Sequence, residues 1–128
     1  MRIIETSKPG PLREETVSAA LADPQDRRIL SACVRKPKAV KDISQETSLP
    51  LPSAYRHVNR LVEVGLLVVE RSALTEDGKR YELYRSRIRS AVIAMDANGE
   101  KVTWEPNEPV EERLMSLWGS LREQAGRP

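Results

Sequence analysis

Residues 49–67, LPLPSAYRHVNRLVEVGLL, decide the fold. Two prolines, Pro50 and Pro52, stand before a run with helical periodicity, and Gly65 ends it. On a wheel of about 100° per residue, Ala54, Val58 and Leu61 fall on one side as a packing face. Pro52, Ser53, Arg56, Asn59, Arg60 and Glu63 fall on the other, with Tyr55 and His57 at the edges. The second face is dense in hydrogen-bonding groups. Arginine can bond guanine in a bidentate fashion, asparagine can do the same with adenine, and serine is small enough to reach bases or phosphates. That chemistry suits the major groove of a duplex. Ser53 could instead act only as a cap on the first free backbone N–H groups.

Upstream, Leu12 to Ala22 reads as a first helix, with Glu14 and Glu15 early, where the helix dipole favours acids. Asp23-Pro24 supplies a cap and a first-turn proline. Ile29, Leu30, Cys33 and Val34 follow at helical spacing, so the next helix is expected over 24–35. Pro37 breaks it. A short helix is expected over 39–47, with Val40 and Ile43 inward and Leu49 closing behind. The quoted segment then gives a helix over 53–64, ended by Gly65 in the left-handed position after a helix.

Downstream the period changes. Leu66-Leu67-Val68-Val69-Glu70 is strand-like, Thr75 to Lys79 is turn chemistry, and Arg80 to Tyr84 alternates as a returning strand. Ile88 to Met95 and Glu100 to Trp104 flank Asp96-Ala97-Asn98-Gly99, a hairpin signal. Pro106 and Pro109 form a hinge. Val110, Leu114, Leu117, Trp118 and Leu121 then make one apolar stripe on a last helix. The expected class is α+β, mainly α: a winged helix-turn-helix with an added β-hairpin and a C-terminal helix. The divisions are a flexible arm over 1–11, the winged module over 12–88, a hairpin extension over 89–105 and a dimerisation helix over 106–128.

Composition limits the function. The chain has 128 residues, 39% hydrophobic and 31% charged, which suffices for one core. Phenylalanine is absent and aromatics are 4%, so the core must rest on Leu, Val, Ile and Ala. One cysteine, Cys33, and one histidine, His57, leave little material for a disulfide framework, a zinc cluster or nucleophilic catalysis. No catalytic residue, metal or cofactor is expected. No segment has the roughly 20 apolar residues of a membrane span, and the N-terminus lacks a signal peptide's apolar stretch. A soluble cytoplasmic protein, not an enzyme, is the expectation.

Net charge is only +2, so placement carries the argument. Arg35, Lys36, Lys38 and Lys41 crowd one region. Lys79, Arg80, Arg85, Arg87 and Arg89 make a basic ribbon. Glu105, Glu108, Glu111, Glu112 and Glu123 fall at the other end. The two basic groups lie where phosphates would flank a groove-bound helix.

The segment resembles the recognition-helix region of ArsR-type winged-helix regulators. The resemblance rests on proline followed by a small residue, the Arg56-His57 pair, and Gly65-Leu66-Leu67 leading into the wing. Upstream, DPQDRRILSACV is similar to the preceding helix of that family. The match covers about residues 20 to 88, and the tail resembles the archaeal branch less specifically. It implies a homodimeric transcription regulator on double-stranded DNA, with Ser53, Tyr55, Arg56 and His57 on the recognition helix and Lys79 and Arg80 at the wing. The metal-sensing members carry paired cysteines before the turn or Asp and His clusters on the last helix. AVKDISQET has no cysteine and VEERLMSLWGSLRE no histidine, so metal sensing is not expected.

The full set expected at DNA is Ser53, Tyr55, Arg56, His57, Asn59 and Arg60 from the helix, with Lys38, Lys41, Lys79 and Arg80 on phosphates. Leu114, Leu117, Trp118 and Leu121 are expected to pair two copies. An unknown small-molecule effector, if one exists, would bind at 88–104 with the last helix. Plainer readings stand beside these. The polar helix face can be merely solvated, and the basic ribbon can be a charged, protected strand edge. His57 is as well suited to a half-buried structural role as to a phosphate, and Cys33 reads as a small core residue. A winged helix can also dock on a protein in transcription machinery.

Overall fold

Asp23 makes the first corner. Its carboxylate accepts from the backbone N–H of Gln25 at 2.8 Å and of Asp26 at 3.3 Å. It thereby ends α1 (Glu14–Ala22) and caps α2 (Pro24–Ala32). Pro24 sits in the first turn, where a missing N–H costs no helical bond. The computed structural model describes residues 10–108, together with Trp118, Gly119 and Leu121. The expected α2 ran on to Arg35, but the helix stops at Ala32. Cys33 leaves helical geometry, and its carbonyl accepts from Ser86 N–H at 3.0 Å instead of continuing the helical ladder.

The turn of the helix-turn-helix lies between α3 (Val40–Thr47) and α4 (Leu51–Glu63). Ser48 ends α3 in the left-handed region at φ 58°. The Ser44 hydroxyl donates to the Leu49 carbonyl at 2.6 Å and holds the corner shut. Helix α4 begins at Leu51, two residues earlier than expected, with Pro50 at the cap and Pro52 in the first turn. The first N–H groups of a helix have no internal acceptor, so Pro52 is tolerated there. Ser53 is therefore inside the helix, and the capping alternative does not hold.

Gly65 follows α4 at φ 86° and turns the chain into the wing. Strands β1 (Leu67–Leu74) and β2 (Arg80–Ser86) pair antiparallel, with a bulge between Val69 and Arg71. Lys38 adds an isolated bridge to β2, exchanging 2.9 Å backbone bonds with Tyr84 in both directions. Strands β3 (Ile88–Asp96) and β4 (Gly99–Pro106) form the second hairpin, running slightly beyond their expected limits. Its tight turn is set by Asn98 N–H on the Asp96 carboxylate at 2.8 Å.

One core joins these pieces. Val17, Ile29, Cys33, Ile43, Ala54, Val58, Leu61 and Leu66 are almost wholly buried. Each aliphatic chain so buried contributes about 1.5–3 kcal/mol. Ile88 and Val102 belong to the same cluster, and Trp104 packs on it. The second hairpin is thus packed against the helices and is no free appendage. Asn107 reinforces this by donating its side-chain amide to Val34 O at 3.0 Å and Ser86 O at 2.8 Å. Four helices, a wing and a second hairpin constitute a winged helix-turn-helix fold.

Residues 1–9 of the expected arm lie outside the described residues, as do Leu114 and Leu117 of the expected dimerisation stripe. Trp118 and Leu121 are described and exposed. Among the described residues, no helix is long and apolar enough to cross a membrane.

Candidate nucleic-acid interface

Helix α4 divides as its periodicity dictates. Ala54, His57, Val58 and Leu61 are buried, while Tyr55, Arg56, Asn59 and Arg60 are exposed and Ser53 is half-buried. The outward set of the first two turns occupies the part of a second helix that reaches base edges in helix-turn-helix docking.

Two residues of the expected set turn toward α2. His57 is 7% exposed, and its Nδ1 lies 2.8 Å from the Asp26 carboxylate, which is itself 3% exposed. Facing a carboxylate, Nδ1 is the hydrogen-bond donor. Arg60 donates through Nη2 to the other oxygen of Asp26, and the same nitrogen is 3.5 Å from Asp23. Burial pushes the Asp23 carboxyl up, but the N–H groups of Asp26 and Gln25, with His57 and Arg60 close by, outweigh it and hold the group below its ordinary value. Asp23, Asp26 and His57 place ligand-type atoms within 4.8 Å of one another. Arg60 already supplies the positive charge at that spot, so a cation would have to displace it.

The four basic residues expected on phosphates differ. Lys79 and Arg80 are exposed where the wing loop returns into β2, and Lys41 is exposed in the first turn of α3. Arg80 is braced by Glu82 at 3.1 Å and by Ser72 at 2.9 Å. Lys38 is engaged elsewhere: its ammonium pairs with Glu46 at 2.5 Å and is mostly buried. Two further members of the basic ribbon are also structural. Arg85 pairs with Glu70 at 3.1 Å and donates to Asn107 O, and Arg87 donates to Gly65 O at 2.8 Å. Burial first, then Arg85, pulls Arg87 below its ordinary value.

Between α3, α4 and the wing runs an open groove. Lys41, Lys79 and Arg80 line it, and so do Tyr55, Tyr81 and Tyr84, the chain's only tyrosines. Burial, with Glu82 and Tyr55 adding to it, pushes the Tyr84 phenol up, so the hydroxyl stays a donor across the neutral range. The sequence reading found Tyr55 and missed Tyr81 and Tyr84. Tyr81 and Tyr84 are three residues apart, so strict alternation along β2 puts them on opposite faces, yet both line this groove.

These elements define a helix-turn-helix module with a wing. The family comparison falls on the helix-turn-helix and the start of the wing. Residues 21–70 match the family model described as "Helix-turn-helix domain". Among curated proteins none matches. Among solved structures, the chain is similar to the homodimeric winged helix-turn-helix DNA-binding domain of Mb0332 from Mycobacterium bovis, a possible ArsR-family transcriptional regulator. The identity is 24% and the TM-score 0.45, over 56% of this chain and 61% of that one. The chain thus spans less than two thirds of that domain's length. It is similar at 18% identity to NolR from Sinorhizobium fredii, with a TM-score of 0.46 over 93% of this chain and 99% of that one. It is also similar at 18% identity to an ArsR family transcriptional regulator, with a TM-score of 0.45 over 87% of this chain and 92% of that one.

Proposed function

We propose that this chain is a sequence-specific, double-stranded DNA-binding transcriptional regulator that acts by binding and not by catalysis. Helix α4 enters the major groove with Ser53, Tyr55, Arg56 and Asn59 toward the bases. Lys79 and Arg80 of the wing, with Lys41 of α3, hold the flanking backbone. The observation that carries this reading is the two-sided character of α4, where Val58 and Leu61 are sealed in the core while Arg56 and Asn59 stand in solvent beside a tyrosine-lined groove that carries Lys41, Lys79 and Arg80. Such an arrangement separates positioning contacts from base-reading contacts, as duplex recognition requires.

The working unit in this reading is a homodimer of the ArsR type without metal sensing. Two α4 helices would then sit about one DNA turn apart, roughly 34 Å. Supporting the dimer, Trp118 and Leu121 are exposed, and tryptophan is enriched at protein interfaces.

The test is selection from random duplex DNA at two salt concentrations. Enrichment of a near-palindrome with half-sites about 10 base pairs apart is the expected result. Salt-sensitive binding without any enriched sequence would leave only non-specific attraction. No binding at low salt would overturn the reading and favour docking on a protein. Within an enriched site, Arg56→Ala should weaken binding by about 1–3 kcal/mol and relax preference at one position.

A further inference from the structure

The side-chain cluster between α2 and α4, in which His57 and Asp26 are buried, uses two residues of α4. His57 and Arg60 are three residues apart, so they lie one above the other on a single face of α4. Both reach one carboxylate. Asp26 gives one oxygen to His57 Nδ1 at 2.8 Å and the other to Arg60 Nη2. Asp23 stands behind, with one oxygen capping α2 and the other 3.5 Å from the same Arg60 nitrogen. The carboxylate thus grips two successive turns of α4 from the first turn of α2.

Apolar packing cannot do this job alone. Val58 and Leu61 fix which face of α4 points inward, but dispersion and burial are non-directional and tolerate small rolls. Hydrogen bonds are directional and fail within a few tenths of an ångström. A roll of about 20° moves a side-chain tip about 6 Å from the helix axis through roughly 2 Å. That displacement breaks a bidentate contact between Arg56 and a base edge.

We infer that Asp26 is a positioning residue for DNA recognition, and that Arg60 and His57 serve as its handles on the recognition helix and do not contact DNA. The assignment rests on the proposed DNA reading of α4. It separates the side chains of α4 into a reading set, Ser53, Tyr55, Arg56 and Asn59, and a locking pair, His57 and Arg60. Asp26 acts through Arg56 and Asn59 by fixing the rotation at which they meet the groove.

The experiment uses the full chain, the enriched duplex and a scrambled duplex of equal length. For each variant three quantities are read: the affinity ratio between the two duplexes, the slope of log affinity against log salt, and the melting temperature. Arg60→Gln should lower the ratio about tenfold and leave the salt slope unchanged, because no phosphate contact is lost. Asp26→Asn should lower the ratio to a similar extent. The double variant should be no worse than Asp26→Asn alone, since that change already removes the link to Arg60. A purely structural cluster would lower the melting temperature and leave the ratio intact in the cold, where the variants are folded; that result overturns the assignment. So does a salt slope flattened by about 0.9 in Arg60→Gln, the signature of a lost phosphate contact. Should Asp26→Asn not fold, the half-exposed Arg60 still decides the matter through its slope and ratio. A wild-type chain that enriches no sequence overturns the DNA reading itself. A wild-type chain that enriches one while both variants keep its preference overturns only the lock.

Discussion

Replacing Gly65 by alanine tests the junction between α4 and the wing. Gly65 follows α4 at φ 86°, and the bond from Leu66 N–H to Leu61 O at 2.8 Å closes the helix end around it. An L-residue held in the left-handed region costs about 1–2 kcal/mol. The stiffer unfolded chain of the variant adds to that penalty's opposite side by about 0.4–1 kcal/mol in favour of the fold. The net backbone effect is about 1 kcal/mol destabilising. A second contribution comes from Arg87. The new methyl would stand 3.3 Å from Arg87 Nη1, the nitrogen that donates to Gly65 O at 2.8 Å. The guanidinium can swing aside, but it then forfeits that bond, worth about 1 kcal/mol. Gly65→Ala should therefore cost about 2 kcal/mol in urea unfolding, and lower Tm by roughly 8 °C. In an Arg87→Ala background the same change should cost only about 1 kcal/mol, because the second contribution is already gone. An alanine variant as stable as the wild type would refute the strained-cap argument. An equal cost in both backgrounds would refute the coupling to Arg87.

Further outcomes are expected. Ile43→Ala, which empties a wholly buried position between α3 and α4, should cost about 2–5 kcal/mol by denaturant unfolding. Cys33, its thiol pushed up to about 12 by burial, with Glu46 adding to it and Lys38 opposing, should stay unmodified by a thiol reagent at pH 8 until the chain is denatured. Asp23→Ala should cost about 1 kcal/mol through loss of the α2 cap, measured by urea unfolding at neutral pH. Because the Asp23 carboxyl is held below its ordinary 3.8, the stability it adds is complete above that value and disappears as pH falls through the folded-state value. The gap between wild type and variant should therefore close in acid.

Local signals account for most of what the sequence made legible. Asp23-Pro24, Gly65 and Asp96 to Gly99 each act within a few residues, so the start of α2, the end of α4 and the second hairpin fall close to their expected positions. The misjudged ends have non-local causes. Helix α2 stops early because Cys33 O is taken by Ser86, 53 residues further along the chain. The candidate site divides in the same way. Wheel geometry placed Arg56 and Asn59 outward, which needs only the helical period. It could not show that Arg60 and His57 would turn to Asp26, more than 30 residues away. Nor could it show that Lys38, Arg85 and Arg87 would be engaged by Glu46, Glu70 and Gly65, since sequence charge counts do not distinguish a solvent-facing cation from a paired one.

Asn107 has a bearing on how the molecule is made. Its amide links Val34, 73 residues earlier in the chain, to the end of the wing at Ser86. Its own N–H returns to Arg87 O at 2.9 Å. Closure over so long a loop is slow, because chain entropy is lost before any contact rewards it. On the ribosome the helices can collapse as they emerge. The Val34 carbonyl, however, lacks this donor until Asn107 is synthesised. Asn107 is therefore the residue that finishes the first half of the fold.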